Sequence, residues 1–595
     1  MAVRQYIGAR YVPMFYENSD NNSDWRDGVE YEPLTIVSYN GNSYTSKRKV
    51  PSTIGNPSAN PRYWQVTGVF NIQIQEILNK LQNIAGNVGV CVSDYGAVGD
   101  GVTDDTAAIQ NAINENNAVY FEAGKTYKIS RLNLHSNLDF NLNGATLYYI
   151  IDSAEAHNFI LYALGCNNIR IHHGTITTDY LYKLNVDTQV VGFVGNSCSY
   201  IEVDHIKTTN LGTAINTVSG HTHFSFPIAA NSVGDVHDCI VHDCEIDSIY
   251  DDFGIRFASS FASSVPLDYE CYNCFAFRNH IKYAKKSAIE ILGSFTHHCA
   301  SLWNIVDDCG TEAMDIDKDA YYCAIIANEV IKCSGNTEEI PTYVPYGGIS
   351  VQSYTGTGAY VDKQGHDNIV MFNYVHETLG NAFFFSGVEN CKCAYNITGK
   401  CKNGIWFNSY TDGQFDYKNS CEVHDNTIYA DEQGIGCQLK LKCNIHHNKI
   451  VAPVGIRSAN VEGYIKIVEN EINFTTRGIY DTSGNVIIVQ SNHVEQTGTP
   501  SSQSNLCNIF TSNTDYMRVE GNTTIEKAGF TTYAMTLGMS TKTNKLAVVA
   551  NNNFTNTHEP FIQTGTFEKV LLIGNSNNVT RNQGVVITSL KDLQF

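Results

Sequence analysis

Between residues 254 and 481 the chain repeats one short pattern: a small residue, an apolar one, a variable one, and usually a second apolar one. It reads Gly254-Ile255-Arg256-Phe257, Ala288-Ile289-Glu290-Ile291, Ala313-Met314-Asp315-Ile316, Gly348-Ile349-Ser350-Val351 and Ala382-Phe383-Phe384-Phe385. It continues as Gly404-Ile405-Trp406-Phe407, Gly434-Ile435-Gly436-Cys437, Gly455-Ile456-Arg457-Ser458 and Gly478-Ile479-Tyr480-Asp481. Successive apolar anchors lie 34, 25, 35, 34, 22, 30, 21 and 23 residues apart. Period-two alternation within each copy predicts a strand. Recurrence over the chain predicts a solenoid, with a rung near 22 residues and loops added to some rungs. One rung cannot bury its apolar face, whereas a stack buries a continuous core. Asn-rich strands lie between the copies, as in Cys443-Asn444-Ile445-His446-His447-Asn448-Lys449-Ile450. Asn tolerates left-handed backbone at turns, and like side chains can stack in ladders. From about 485 the motif weakens while strands continue (486–489, 546–549, 570–573), which predicts further rungs or a sheet-like C-terminal cap over 486–595.

Upstream, the pattern changes twice. Residues 1–66 are rich in aromatics and turns (Trp25, Gly28, Tyr31, Val37, Tyr39, Tyr44, Trp64), and Asn40-Gly41 between apolar runs predicts a hairpin in a small β module. Within 67–90, Ile74, Ile77, Leu81, Ile84 and Val88 follow the 3-4-3-4 spacing of a coiled coil, and Ile at both core positions leans towards three strands. The region from 91 opens with Asp94-Tyr95-Gly96-Ala97-Val98-Gly99-Asp100-Gly101-Val102-Thr103-Asp104-Asp105-Thr106. A short helix follows with Ala108, Ile109, Ala112 and Ile113 on one face, and Thr103, Asp104 and Asp105 are expected to cap it.

Composition narrows the classes. The 595 residues carry a net charge of −21 with no Lys/Arg cluster, which disfavours nucleic-acid and membrane-surface binding. No stretch reaches the ~18 apolar residues of a membrane span, so no membrane insertion is expected. The first residues lack an apolar signal core, so no signal peptide and no Sec-type export are expected. The 61 Asn and 46 Gly against 12 Pro favour turns and strands over long helices. The 18 Cys are scattered singly and read as reduced, buried, small apolar residues.

The run 94–129 closely resembles the opening of pectate-lyase-like proteins, in which the short helix plugs one end of the solenoid. That resemblance implies an all-β, right-handed, single-stranded parallel β-helix over 91–485, preceded by the small β module and a coiled-coil neck. The 1–66 segment resembles the small carbohydrate-binding-like modules at the head of phage tail proteins; a small β core anchoring the chain to a particle is favoured over a sugar platform. Together with the neck and the acidic charge, the chain resembles a bacteriophage tail spike or tail fibre. The resemblance implies a homotrimer of the virion, made in the host cytoplasm, attached to tail or baseplate proteins through its N-terminal module. It also implies binding to a bacterial surface glycan, with cleavage in many such proteins.

Candidate chemistry follows from the alternation of strand faces. If the anchors point inward, Arg256, Glu290, Asp315 and Ser350 point outward in one column, and Ala258, Leu292, Asp317 and Gln352 in the next. Phe384 and Trp406 extend the first column; Ser386 and Asn408 extend the second. Glycoside cleavage needs one acid and one base or nucleophile, so Glu290, Asp315 and Asp317 are the candidate catalytic groups. Rung spacing puts Glu290 and Asp315 ~5 Å apart, a retaining spacing, and Glu290 and Asp317 roughly 8 Å apart on a diagonal, an inverting one. Glu290 is favoured as acid, with Asp317 or Asp315 as base. Arg256, Gln352, Phe384, Trp406 and Asn408 are the candidate substrate-binding residues, Arg256 for an acidic sugar, the rings for stacking and the amides for hydroxyls. The bland alternative is a row of solvated surface charges. Hydrolysis is favoured over a lyase reaction because acids dominate; a non-catalytic receptor-binding protein needs the same groove. Asp251-Asp252, or Asp307-Asp308 with Glu312, would extend the acidic cleft or take Ca²⁺. His221-Thr222-His223 reads as an ordinary loop. His172-His173, His297-His298 and His446-His447 lack a spaced partner set, and Cys271-Tyr272-Asn273-Cys274 lacks a second pair, so no metal or cofactor is expected.

Overall fold

The structure is a computed structural model. It describes residues 6–7, 10–11, 14–15, 24–40, 42–68, 89–151, 157–179, 189–211, 224–229, 234–249, 253–259, 269–333, 347–353, 364–408, 420–438, 442–459, 461–481, 484–499, 507–526, 533–537, 543–555, 561–564, 567–575 and 579–582. The chain divides into two compact units, Met1–Asn87 and Val88–Phe595. The expected neck helix over 69–88 lies outside the described residues, as do Asp251, Asp252 and the His221-Thr222-His223 segment.

In the first unit, Thr35–Tyr39 pairs antiparallel with Asn42–Ser46, and Asn40 at the turn adopts a left-handed φ of 48°. Asn42–Ser46 pairs in turn with Trp64–Gly68. The aromatics are core: Tyr31 and Trp64 are fully buried and meet edge to face at 5.3 Å.

The second unit is a parallel β-helix. Its strands stack into three main parallel sheets, each strand pairing with its counterpart one rung on, and the rungs over 236–317 add a fourth short strand (Val236–His237, Cys271–Tyr272, Thr296–His297). In the rung built around Asn304, Ala300–Leu302 lies in the first sheet, Ile305–Val306 in the second and Met314–Asp317 in the third. Every repeat anchor is a register partner of the next: Ile255, Ile289, Met314, Ile349, Phe383, Ile405, Ile435, Ile456 and Ile479 form one inward column. Insertions of unequal length therefore leave the register untouched. The column continues past 485 through Ile509 and Met535, and the backbone register carries on to position 562, so the later strands are further rungs. A single apolar core cluster runs from Val92 to Val570. The small first position of the motif has a steric cause: a Cβ on Gly434 would lie 2.5 Å from the Gly455 carbonyl oxygen of the next rung. All 18 cysteines are free thiols, and all but Cys166 are buried.

The corner between the first and second sheets is held by an asparagine ladder. Asn279, Asn304, Asn328, Asn373, Asn396, Asn426, Asn448, Asn470, Asn492, Asn522, Asn552 and Asn575 stack in line. Each Nδ2 donates to a main-chain carbonyl of the preceding rung and, for all but Asn575, to the Oδ1 of the next Asn, as Asn304 does to the Ala276 carbonyl at 2.9 Å and to Asn328 at 3.0 Å. The expectation that these Asn supply left-handed backbone needs correction. The positive φ falls on the residue before each of them, including Trp303 (54°), Ala327 (57°), Phe372 (60°) and Tyr395 (57°). The amide is retained for its hydrogen bonds, and the strained position accepts almost any side chain.

At the N-terminal end, Thr106–Glu115 forms helix α1 and buries Ile109, Ala112 and Ile113. Its capping differs from expectation. Asp104 accepts from the Thr106 N–H at 3.0 Å, while the buried Asp105 turns back to accept from the Val98 and Gly99 N–H groups at 2.7 and 3.0 Å. Asp105 thus ties the helix to the turn before it, and Asp104 does the capping.

Candidate functional site

The third sheet brings the predicted residues into line. Arg256 pairs with Glu290, Glu290 with Asp315, Asp315 with Ser350, Ser350 with Phe384 and Phe384 with Trp406. In the neighbouring column Leu292 pairs with Asp317, and Ser386 with both Gln352 and Asn408.

Solvation of this column departs from the expected open groove. Arg256, Glu290, Asp315 and Phe384 are 2, 4, 5 and 6% exposed, whereas Asp317, Gln352, Trp406 and Asn408 are half-buried. Both faces of Phe253–Ala258 and Ile289–Leu292 are shielded from water. The reading of Glu290 and Asp315 as solvated surface charges therefore fails, and Phe384 is too buried to serve as an open stacking platform. The half-buried Trp406 lies over Gly436 on the next rung, where a Cβ would meet the indole at 2.3 Å.

The acids form one cluster. Glu290, Asp315 and Asp317 each bring a carboxylate oxygen within 4.8 Å of the other two. The diagonal separation inferred from backbone spacing is thus too long, because the side chains lean together. Arg256 Nε lies 2.5 Å from Glu290 Oε2, and its guanidinium stands over the Phe253 ring at 4.8 Å. A fourth acid, Glu312, reaches the same cluster from just before the strand and is 3% exposed.

Four carboxyl groups against one arginine cannot all ionise in a buried site. Burial, followed by the charges of Asp317, Glu312 and Glu290, pushes the Asp315 carboxyl well above its usual range, against an opposing hydrogen bond from Gln352. Burial lifts Glu312 to about 7, opposed by a hydrogen bond from Thr311 and reinforced by the charges of Asp317 and Glu290. Burial also raises Asp317, partly offset by Lys318 and Arg256. Among the described residues, Glu312 Oε1, Asp315 Oδ1 and Ser350 Oγ are buried without a hydrogen-bond partner. An unpartnered buried oxygen is costly and is tolerated where an incoming group completes it. The three clustered acids are also a ligand set that a hard cation would accept, although the Arg256 ion pair on Glu290 competes with one.

Of the weaker candidates, Glu312 joins the acid cluster and the others described are placed elsewhere. Asp307 accepts from His280 Nε2 at 2.8 Å, and Asp308 pairs with Lys332 at 2.9 Å. Cys271 and Cys274 are both buried in the core. Glu312 carries the least sequence signal, because it lies off the repeat and precedes the anchor Met314 by two positions.

Comparison with known proteins agrees with this architecture. Residues 89–314 match the family described as rhamnogalacturonase A/epimerase, pectate lyase-like. The chain is 24% identical over 427 residues to a capsule-specific depolymerase of Klebsiella phage K64-1, covering 63% of this chain and 49% of the relative. It thus spans about half the length of that curated relative. Among solved structures, the tailspike of E. coli bacteriophage HK620 in complex with a pentasaccharide aligns at a TM-score of 0.46 and 11% identity, over 84% of this chain and 81% of that one. Gene product 12 of bacteriophage phi29 aligns at a TM-score of 0.44 and 13% identity, over 84% and 68%. The chain therefore carries a pectate-lyase-like β-helix and is a homologue of a phage capsule depolymerase.

Proposed function

We propose that this chain is a phage tail spike that binds a bacterial surface polysaccharide and hydrolyses its glycosidic bonds at the acidic cluster of the third sheet. The observation that carries the reading is the mixed protonation that the cluster demands. Burial favours the neutral form of Asp315 and raises Glu312 to about 7, while Glu290 is ion-paired to Arg256, an arrangement suited to a charged carboxylate. Asp315, with Glu312 behind it, would protonate the leaving oxygen, and Glu290 would act as nucleophile or base. This reverses the roles expected from sequence, because Arg256 leans on Glu290 and not on Asp315. The close approach of the acid oxygens favours the retaining spacing over the inverting one. Half-buried Asp317 and Gln352 border the buried acids, Trp406 and Asn408 lie three rungs further along the same columns, and all four would meet the sugar first. The homologous phage depolymerase supports the substrate class. Assembly as a homotrimer, attachment to tail or baseplate proteins through residues 1–66 and a place on the virion belong to the same proposal.

The test is incubation of the purified chain with isolated bacterial surface polysaccharides, with Asp315→Asn and Glu290→Gln beside it. Reducing ends released by the parent and lost in both variants, with glycan binding kept, are expected. Binding without release in all three proteins would leave a receptor-binding spike. Unsaturated, ultraviolet-absorbing products that require Ca²⁺ would point instead to a lyase using the same three acids as cation ligands.

A further inference from the structure

A second cluster lies near the N-terminal end of the β-helix, on the outer side of the first sheet. His172 and His173 are adjacent in sequence, and His173 takes a left-handed φ of 59°. That conformation turns both rings the same way, and their Nδ1 atoms lie 2.7 Å apart. The same contact recurs, also at 2.7 Å, in His297-His298 and His446-His447, so it is a product of the backbone. The next rung makes the first pair different. Asp204 stands in register with His172, whereas Tyr321 faces His297 and Val468 faces His446. His172, His173 and Asp204 each present one ligand atom within 4.8 Å of the other two.

The surroundings prepare these atoms. His172 Nε2 lies 2.8 Å from Asp139 Oδ1 on the preceding rung. With Nε2–H donated there, the lone pair of the neutral ring sits on Nδ1, in the carboxylate–histidine arrangement that orients metal-bound imidazoles. Asp204 is fully buried, and its Oδ2 is fixed by Arg170 Nε at 2.8 Å. Its Oδ1 faces the histidines, 3.9 Å from His173 Nδ1 and 2.7 Å from His205 Nδ1. His205 stacks on His173 with ring centroids 4.6 Å apart. The cluster opens on a surface cavity of about 480 Å³ lined by Asn141, His172, His173 and His205, which leaves room for water on the open side.

The geometry points to a binding site for a divalent transition-metal ion, with His172 Nδ1, His173 Nδ1 and Asp204 Oδ1 as protein ligands and water completing the shell. Two imidazole nitrogens and one carboxylate suit Zn²⁺ or Ni²⁺ and not Ca²⁺ or Mg²⁺. With the ion bound, His173, whose side chain is 50% exposed, takes the Nε2–H tautomer, and its Nδ1 gives up the proton it otherwise shares with His172 Nδ1. The ion would join two rungs that the Arg170–Asp204 ion pair and the His173–His205 stack already connect at this corner. No sequence motif announces it, because its residues are brought together only by the stacking of rungs.

The experiment is calorimetric titration of the full chain, chelator-treated and free of any affinity tag, with Zn²⁺ or Ni²⁺ as probe. Parent, His173→Ala and His447→Ala are compared, the last removing half of a histidine pair whose carboxylate neighbours, Glu422 and Glu469, engage the Nε2 atoms and not the Nδ1 pair. One equivalent per chain, weakened at least tenfold in His173→Ala and unchanged in His447→Ala, is expected, with a melting temperature that Zn²⁺ raises only where His173 is present. Asp204→Asn tests the third ligand, but Asp204 also holds Arg170, so the exposed His173 keeps the test valid if that variant fails to fold. No binding, equal binding in parent and His173→Ala, or uptake of Ca²⁺ in preference to Zn²⁺ would each overturn the site.

Discussion

The β-helix buries polar side chains in two long columns and treats them in opposite ways. In the asparagine ladder, amides are matched rung after rung, donor to acceptor, from Asn279 to Asn575. In the acid column of the third sheet, Glu290, Asp315 and their neighbours crowd like charges together and leave oxygens of Asp315 and Glu312 without partners among the described residues. Both columns rest on the same register and the same apolar core. The difference separates what the solenoid needs in order to stack from what it carries at a cost, and such a cost is tolerated where a site uses it.

The sharpest way to break the comparison is to neutralise the acids. Asp315→Asn and Glu290→Gln should each lower polysaccharide cleavage by roughly 10²–10⁴-fold, the usual worth of a positioned acid or base. Asp315→Asn should not lower the melting temperature, since a neutral amide replaces a carboxyl whose ionisation burial disfavours; Glu290→Gln should lower it, because Arg256 is left buried without its ion-pair partner. A loss of stability in Asp315→Asn would make the acid column a structural element like the ladder.

The ladder should respond in the reverse sense. Asn426→Ala removes the acceptor of the Asn396 N–H and Nδ2 (2.9 and 3.0 Å) and the bonds that Asn426 Nδ2 makes to Cys393 O and Asn448 Oδ1 (3.0 and 2.9 Å). Buried donors left without acceptors cost about 1–3 kcal/mol each, so a fall of several degrees in melting temperature is expected, with cleavage per folded molecule unchanged. Differential scanning calorimetry beside a reducing-end assay separates the two quantities.

Titration distinguishes the columns again. Glu312, lifted from 4.5 to about 7, favours the native state while it is protonated. Its contribution is fully present below its unfolded value and is lost as pH rises through about 7. Stability and cleavage should both decline across that window, and Glu312→Gln should flatten the stability decline. Amides do not titrate, so the Asn426→Ala deficit should stay constant with pH. A parallel pH dependence of that deficit would tie the two columns together.

The smallest effect concerns the position before each ladder Asn. Ala327 pays for a left-handed φ of 57° that glycine adopts freely, so Ala327→Gly should stabilise the chain by up to about 1 kcal/mol, measured by denaturant unfolding. A destabilisation would mean that no strain is stored there.

The inward anchors from Ile255 to Ile479 were legible in sequence because the core accepts only a small residue followed by an apolar one, whatever the length of the loops between. The outward neighbours followed from alternation, so the alignment of Arg256, Glu290 and Asp315 was legible too. Their burial was not, since it depends on what lies over the outer face, and that carries no period. Glu312 sits off the strand, beyond the reach of alternation. The left-handed position was misassigned because Asn is both a turn former and a hydrogen-bonding amide, and here only the second property is used. The facing of His172 by Asp204 required the register of an early rung, upstream of the repeat that sets the frame.

The ladder also bears on time. Each amide engages its own rung and the rungs on both sides, so an interior rung cannot open without stranding its neighbours' donors. Opening must then begin at the ends and travel inward, one rung after another, as expected of a one-dimensional stack. The lifetime of the native state against proteases or detergent becomes a property of its terminal rungs, and the stretch carrying the acids inherits a slow unfolding rate from its place in the middle.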